Sequence, residues 1–226
     1  MLNKNLNKDQ YYMNIAREVA RKSKCYRRAM GAVIVRNDQI ISTGYVGAIR
    51  KGKDCFEHSF CLRTRLGIPH GHRYELCRSV HAEQNAIINA ARAGVSLLGG
   101  DMYIFGMDPV ERKKVDALPC FICKKMIINA GLAMVVSSTK TGGVRKFRVE
   151  AWTHDWQIHD IIEDKDTYGK DQKVLSEKEI DQNIAKLHKQ DSLNDHENEK
   201  KQKKTSDRSF RRETFGQGDR SRVFSG

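Results

Sequence analysis

Apolar residues recur at helical spacing over residues 9–24, DQYYMNIAREVARKSK, where Tyr12, Ile15, Val19 and, less regularly, Ala20 share one side and Asp9 stands where a cap is expected. That pattern predicts a first helix. In AMGAVIVRNDQIISTGYVG the period shortens to that of strands: 29–36 and 40–45 read as β-rich runs joined at Asn37-Asp38, a hairpin. Over 46–80 no period is sustained, and the stretch holds four glycines, one proline and three cysteines. So long an irregular segment inside a compact domain needs something to hold it. Beyond it come a helix over 81–93, a short strand over 102–106, the polar insertion MDPVERKKVDAL, a helix that begins after Pro119 and ends at Gly131, and a strand in LAMVVSS. This order predicts an α/β fold, a mixed sheet with helices packed on it.

At 226 residues the chain is long enough to bury a core of roughly 150 residues without disulfides. Past residue 166 the composition turns dense in charge and poor in branched apolar side chains. The expected organisation is a folded domain over 1–165 and a charged, disordered tail over 166–226, with room for a short helix over 176–189. No apolar run is long enough to span a bilayer, and the N-terminal stretch lacks the apolar core of a signal peptide, which predicts a cytoplasmic chain without membrane partners. In that compartment six cysteines point to metal ligands or reactive thiols rather than a disulfide framework. The charge of +13 is uneven: 28 of 41 Lys and Arg but 17 of 28 acids precede residue 171, so the basic excess belongs to the folded part. A basic surface favours anionic ligands, nucleotides or nucleic acid, unless it is simply a solvated exterior.

The spacing of His, Glu and Cys narrows the chemistry. HAE at 81–83 and PCFIC at 119–123 supply one imidazole, His81, and two thiols, Cys120 and Cys123, each group opening a predicted helix. Three such ligands with a fourth position left to water are the pattern of a catalytic zinc. Cys120 and Cys123 are one turn apart at a helix start, where the helix dipole favours thiolates. Glu83, two residues from His81, is placed beside the metal to carry protons rather than to ligate it. His-x-Glu followed by Pro-Cys-x-x-Cys is the signature of zinc nucleobase deaminases, in which water activated on the metal attacks the amino-bearing ring carbon. A purely structural zinc or a thioredoxin-like thiol pair would have no use for His81 and Glu83 together.

Three blocks, SKCYRRAMGAVIVRNDQIISTGYVG, CRSVHAEQNAIINAA and PCFICKKMIINAG, resemble the deoxycytidylate deaminase branch of the cytidine deaminase superfamily, including its bacterial late-competence members. The resemblance covers about residues 11–138. It implies a three-layer α/β/α cytidine deaminase-like fold with about five strands, deamination of dCMP to dUMP, a homo-oligomer, zinc on His81, Cys120 and Cys123, and proton transfer by Glu83. Relatives commonly carry Asn in a Gly-Tyr-Asn-Gly run where this chain has Val46, so a polar contact to the substrate is missing there. The insertion ahead of Pro119 is also longer than in compact members, and it is expected to border the pocket entrance.

Four cysteines remain, Cys25, Cys55, Cys61 and Cys77, the count for a closed structural zinc. Some phage relatives carry a second zinc with cysteines at positions resembling Cys25 and Cys55, which supports that reading. The alternatives are buried free thiols, or His58, His70 or His72 in place of one cysteine. Arg27 and Arg28, or His70 and His72, are candidate contacts to a substrate phosphate. Arg17, Arg21, Lys22 and Lys24 read as a solvated helix face, Trp152, Trp156 and Val149 as core or an oligomer contact, and Gln84 and Asn85 as packing beside Glu83. Two rival readings stay open: a deaminase of bases in single-stranded DNA or RNA, against which no aromatic stacking platform is visible, and a non-enzymatic zinc-stabilised module of a DNA-uptake system, against which Glu83 stands.

Overall fold

The computed structural model describes residues 6–69 and 71–158, together with positions 178–179, 182–183, 185–186 and 189. Internal contacts divide the chain into Met1–Val174 and Leu175–Gly226. In the second unit the described positions are helical, within the short helix expected over 176–189. The boundary expected at 165/166, and the tail's expected disorder apart from those positions, lie outside the described residues, as does His70.

Helix α1 covers Lys8–Ala20 and is capped by Asn7, whose side chain accepts the Gln10 N–H at 2.9 Å. Asp9 falls inside the first turn instead. The helix ends at Ala20, the last apolar position of the pattern and four residues short of the stretch 9–24, because Ser23 is claimed by the sheet: its hydroxyl donates to the Met30 carbonyl at 2.9 Å and accepts the Met30 N–H at 3.0 Å. Strands β1 (Ala29–Arg36) and β2 (Gln39–Tyr45) form the expected hairpin. Asn37 and Asp38 both take positive φ, 50° and 62°, the left-handed pair that a two-residue hairpin turn demands and that Asn and Asp tolerate.

The 46–80 segment is pinned at its ends by a small antiparallel ladder, β3 (Gly47–Ala48) with β4 (Ser79–Val80). Between them lie the single-turn helix α2 (Leu62–Arg65) and a 3-10 turn, Tyr74–Leu76, with Leu66 and Ile68 buried. Helix α3 (Ala82–Arg92), strand β5 (Asp101–Met107), helix α4 (Phe121–Asn129) and strand β6 (Met134–Ser138) follow as the pattern predicts, Gly131 ending α4 at φ 68°. Two elements were not legible: strand β7 (Val144–Arg148) and helix α5 (Val149–Ile158).

The five-stranded sheet runs β2-β1-β5-β6-β7, mixed because β5 and β6 are parallel while the other pairs are antiparallel. Strand alternation divides its core into two. Val33, Val35, Tyr103, Phe105 and Val136 pack under α1 with Tyr12, Met13, Ala16 and Ala20. Ala32, Ile34, Met102, Ile104 and Val135 pack on the other face with Ala82, Ala86 and Ala90 of α3 and Ile127 of α4. Helix, sheet, helix is the three-layer α/β/α arrangement. Trp152 and Val149 join this second cluster, Trp152 lying 5.5 Å from the Phe147 ring, and Trp156 meets Phe121 at 5.3 Å, so these side chains serve as packing.

Candidate metal centre and substrate cavity

Helix α3 is fastened to β2 along its length. Gly44 lets the first turn approach so closely that a Cβ there would stand 2.3 Å from both the Ala82 carbonyl oxygen and the Ala86 nitrogen. Asn85 Nδ2 donates to the Tyr45 carbonyl at 2.8 Å, Asn89 Nδ2 to that of Thr43 at 2.8 Å, and the Ser42 hydroxyl to that of Ala86 at 2.6 Å. His81 is the N-cap, its N–H donating to Gln84 Oε1 at 2.9 Å. Gln84 and Asn85 therefore aim the helix start, a role beyond filling space. Facing it, Cys120 is the N-cap of α4 and Cys123 lies in its first turn. The insertion that leads there is tied back to β6 through the Ala117 N–H and the Ser138 carbonyl at 3.0 Å.

The two helix starts bring His81, Cys120 and Cys123 together, their ligand atoms within 4.8 Å of one another. His81 Nδ1 is 3.4 Å from each sulfur. Tetrahedral zinc with Zn–S of about 2.3 Å and Zn–N of about 2.0–2.1 Å requires N–S edges of roughly 3.5 Å, so the donor set fits zinc. Burial works against charging the His81 ring, yet hydrogen bonding to Cys120 and the neighbouring Glu83 carboxylate hold its pKa above the usual imidazole value. The hydrogen bond from Cys123 holds the Cys120 thiol well below its usual range against the opposing effect of burial, and the same bond raises Cys123. A thiol drawn toward thiolate suits a cation site, which His81 would join as the neutral imidazole. Glu83 is 3% exposed, and burial pushes its carboxyl pKa up.

These groups open on a cavity of about 410 Å³ lined by His81, Glu83 and Cys120, and also by Val46, Arg27 and Arg28. Cys25, Cys55, Cys61 and Cys77 line it too. They share an electrostatic neighbourhood: burial first, then the other three thiols, raise the pKa of Cys55, which also meets the Ser79 hydroxyl at 3.9 Å. Cys25 Sγ accepts the Arg27 N–H at 3.4 Å. Among the described residues, however, these four do not form a group closed to metal-ligand spacing as His81, Cys120 and Cys123 do. His58 packs against Phe60 instead of lining the cavity. The insertion contributes Lys114, Val115, Asp116 and Leu118 to the cavity lining. Arg28 is drawn toward it by Asp108 at 3.8 Å.

Sequence reasoning missed Arg63, Tyr74 and Lys140, which line the same cavity. No spacing in the irregular 46–80 segment singles out Arg63 or Tyr74; their place is fixed by how that segment folds back. Among the described residues no helix is long and apolar enough to cross a membrane.

The family model for the cytidine and deoxycytidylate deaminase zinc-binding region matches residues 6–139, more than half the chain, and the protein belongs to that family. Its relatives include deoxycytidylate deaminase of Schizosaccharomyces pombe, 32% identical over 58% of this chain and 37% of that protein. The deoxycytidylate deaminase of Mycobacterium phage D29 is 33% identical over 57% of this chain and 91% of its own length. ComE operon protein 2 of Bacillus subtilis is 33% identical over 56% of this chain and 57% of its own. The chain thus spans little more than a third of the yeast relatives it matches.

Proposed function

We propose that this protein is a zinc-dependent hydrolytic deaminase of a cytosine nucleotide, converting dCMP and water to dUMP and ammonia. The observation that carries the reading is the convergence of His81, Cys120 and Cys123 with a buried glutamate on one nucleotide-sized cavity. The relatives' activity supports the choice of dCMP. Zinc, when bound, supplies the Lewis acid that makes water a nucleophile near neutral pH. Glu83 would take one proton from that water and pass it to the ring nitrogen, then carry the second, from the hydroxyl added to the ring carbon, to the amino group, which leaves as ammonia; burial, which raises its pKa, suits a carboxyl that must hold a proton in mid-reaction. His81, Cys120 and Cys123 hold the metal and take no proton in the cycle.

The same reading includes a second, structural zinc drawn by Cys25, Cys55, Cys61 and Cys77, assembly as a homo-oligomer, and a deaminase domain over 1–165 followed by a charged tail. Val46 offers the substrate an apolar wall where an amide would hydrogen-bond. Discrimination among dCMP, CMP and dCTP is therefore looser than with Asn, and Val46→Asn sharpens it.

Ammonia release from a panel of cytosine nucleosides, nucleotides and single-stranded oligonucleotides tests the function, with zinc measured on the same samples. Turnover of dCMP above deoxycytidine and oligonucleotides is expected. Turnover of oligonucleotides alone would transfer the site to nucleic acid, and zinc without any turnover would make the protein a binding module. Two zinc ions per chain, falling to one in Cys61→Ser, would support the second metal; one zinc with all four thiols open to alkylation would remove it.

A further inference from the structure

Tyr26 and Phe56 are far apart in sequence, and the fold brings them together. Their ring centroids lie 4.8 Å apart at an interplanar angle of 56°, and the two residues are 41% and 40% exposed. Tyr26 stands between Cys25 and Arg27, and Phe56 follows Cys55; all three neighbours line the cavity, so the aromatic pair is mounted on its wall. The link that carries Tyr26 is held beside the 46–80 segment by the Lys24 N–H, which donates to the Val46 carbonyl at 3.1 Å. On the loop that carries Phe56, Asp54 Oδ1 accepts the N–H groups of Phe56 and Glu57 at 2.8 and 2.9 Å, and Glu57 Oε2 accepts that of Asp54 at 2.7 Å. Both carboxylates are thereby engaged by the loop's own backbone.

Cations surround the pair. Lys24 Nζ lies 5.7 Å over the Phe56 ring, and Lys22 Nζ 5.8 Å over that of Tyr45. Both lysines were expected on a helix face, but α1 ends at Ala20 and they stand on the exposed link beyond it. Lys51 and Lys53, on the approach to Phe56, are exposed as well. Among the described residues none of these four lysines has an ion pair. Phe60 differs, because the guanidinium groups of Arg65 and Arg78 already cover its ring at 4.2 and 4.5 Å. Aromatic surface left in water beside unpaired cations calls for an occupant with flat apolar faces and regularly spaced negative charge. A second copy of this chain would bring the same lysines to the contact, setting like charges against each other across a two-fold axis. An unpaired nucleic-acid strand supplies both features, since its bases stack on aromatic rings while its phosphates meet the cations. A duplex keeps its base faces covered.

We propose that Tyr26 and Phe56, with Lys22, Lys24, Lys51 and Lys53, form a binding surface for single-stranded nucleic acid on the cavity wall. A base stacks on the ring pair and the phosphates run along the lysines, Lys24 turning from Phe56 toward the strand's backbone. Sequence alone shows no such platform because the two rings come from separate segments. The surface does not depend on the deaminase reading: the strand is its partner even where it supplies no substrate to the cavity.

The test measures, by fluorescence anisotropy over a range of salt concentrations, binding of the full chain to labelled oligothymidylate and oligouridylate of about 12 nucleotides and to a DNA duplex of the same length. The variants are Tyr26→Ala, Tyr26→Phe, Phe56→Ala, Lys24→Gln and Lys51→Gln. Loss of a ring should weaken single-strand binding about 5- to 100-fold and leave its salt dependence in place, with Tyr26→Phe close to the wild type. Each lysine variant should instead reduce the slope of log K against log salt by about 0.7. Duplex binding should not respond to Tyr26→Ala. Binding of either strand supports the proposal, and the tighter of the two separates DNA from RNA. An equal weakening of strand and duplex in the ring variants, or a single-strand affinity that none of the five substitutions changes, overturns it and assigns the binding to charge alone or to another part of the chain. Binding to vesicles of phosphatidylserine and phosphatidylcholine without binding to strands would make the surface a membrane contact, and a dimer that dissociates in Tyr26→Ala without strand binding would make it a contact between copies; either overturns the proposal. Should Phe56→Ala fail to fold, Tyr26→Ala carries the comparison, with Tm and zinc content read on the same sample. Neither strand contains cytosine, so binding is read apart from turnover, and failure of the deaminase reading leaves this measurement intact.

Discussion

Gly31 and Gly44 lie on neighbouring strands and open toward opposite faces of one sheet. A Cβ on Gly31 would stand 2.3 Å from the Ala16 carbonyl oxygen and 2.4 Å from the Ala20 nitrogen of α1; one on Gly44 would meet Ala82 and Ala86 of α3 at 2.3 Å each. Each face thus seats a helix by the same device, a strand glycine against two helix alanines one turn apart. What differs is where along the helix the contact falls. On α1 it is the C-terminal half, and no residue of α1 lines the cavity. On α3 it is the first turn, which follows the candidate ligand His81 directly and contains Glu83. The same close approach that anchors one helix therefore aims the other, and tolerance to change at the two glycines should diverge in function while agreeing in stability.

The largest effect expected on the α3 face comes from Glu83→Gln. General acid–base catalysis is worth about 100- to 10,000-fold, so turnover should fall by that range while zinc content stays at the wild-type level. The swap keeps side-chain volume and removes the titrating oxygen. Zinc analysis beside the ammonia assay checks it: loss of metal would make Glu83 a ligand and return the site to a structural role.

Next in size is the pair of glycine substitutions. Forcing a methyl group into either contact should cost about 1–3 kcal/mol by overpacking, read as a fall in the denaturant midpoint. For Gly44→Ala the displaced first turn carries His81 and Glu83 with it, and a misplacement of about 1 Å costs on the order of 100-fold in rate. Gly31→Ala should leave turnover within about threefold once folded protein is assayed. Equal activity losses in the two variants would show that the faces are not separable and that the sheet transmits strain from α1 to the site.

The same division explains what the sequence disclosed. Strands buried on both faces announce themselves through their apolar content, and β1, β5 and β6 were legible for that reason. The candidate metal centre was legible because each of its residues sits at the start of a helix, where local sequence and geometry coincide: His81 caps α3, and Cys120 caps α4. β7 was hidden because Val144–Arg148 is mostly exposed at the sheet edge and three of its five residues are basic, leaving no alternation to read. The end of α1 was overrun because the contact of Ser23 with Met30 is tertiary and invisible to periodicity. Arg63 and Tyr74 were missed for a related reason. Their segment has no period of its own and is held by its ends, so which of its side chains reach the cavity depends on the folded path alone.

The smallest effect is expected from the α1 face, at Tyr12. Its hydroxyl donates to Asp38 Oδ1 at 2.7 Å and to the Asp38 carbonyl at 2.9 Å, tying α1 to the hairpin turn. Tyr12→Phe removes the donor and should cost about 1 kcal/mol at neutral pH, with turnover unchanged. Burial, and after it the hydrogen bond to Asp38, push the Tyr12 pKa up to about 12. An unfolded tyrosine titrates near pH 10, so the folded state holds this proton more tightly than the unfolded one. The contribution of the hydroxyl is thus complete below about pH 10 and is lost as pH rises from there through about 12. Denaturant unfolding of wild type and Tyr12→Phe at pH 8 and at pH 11 reads this directly: the stability gap between them should narrow on going to the higher pH. A gap that widens instead would mean that the phenolate is the better-accommodated form, against the carboxylate of Asp38 beside it, and would overturn the assignment of the hydroxyl as donor.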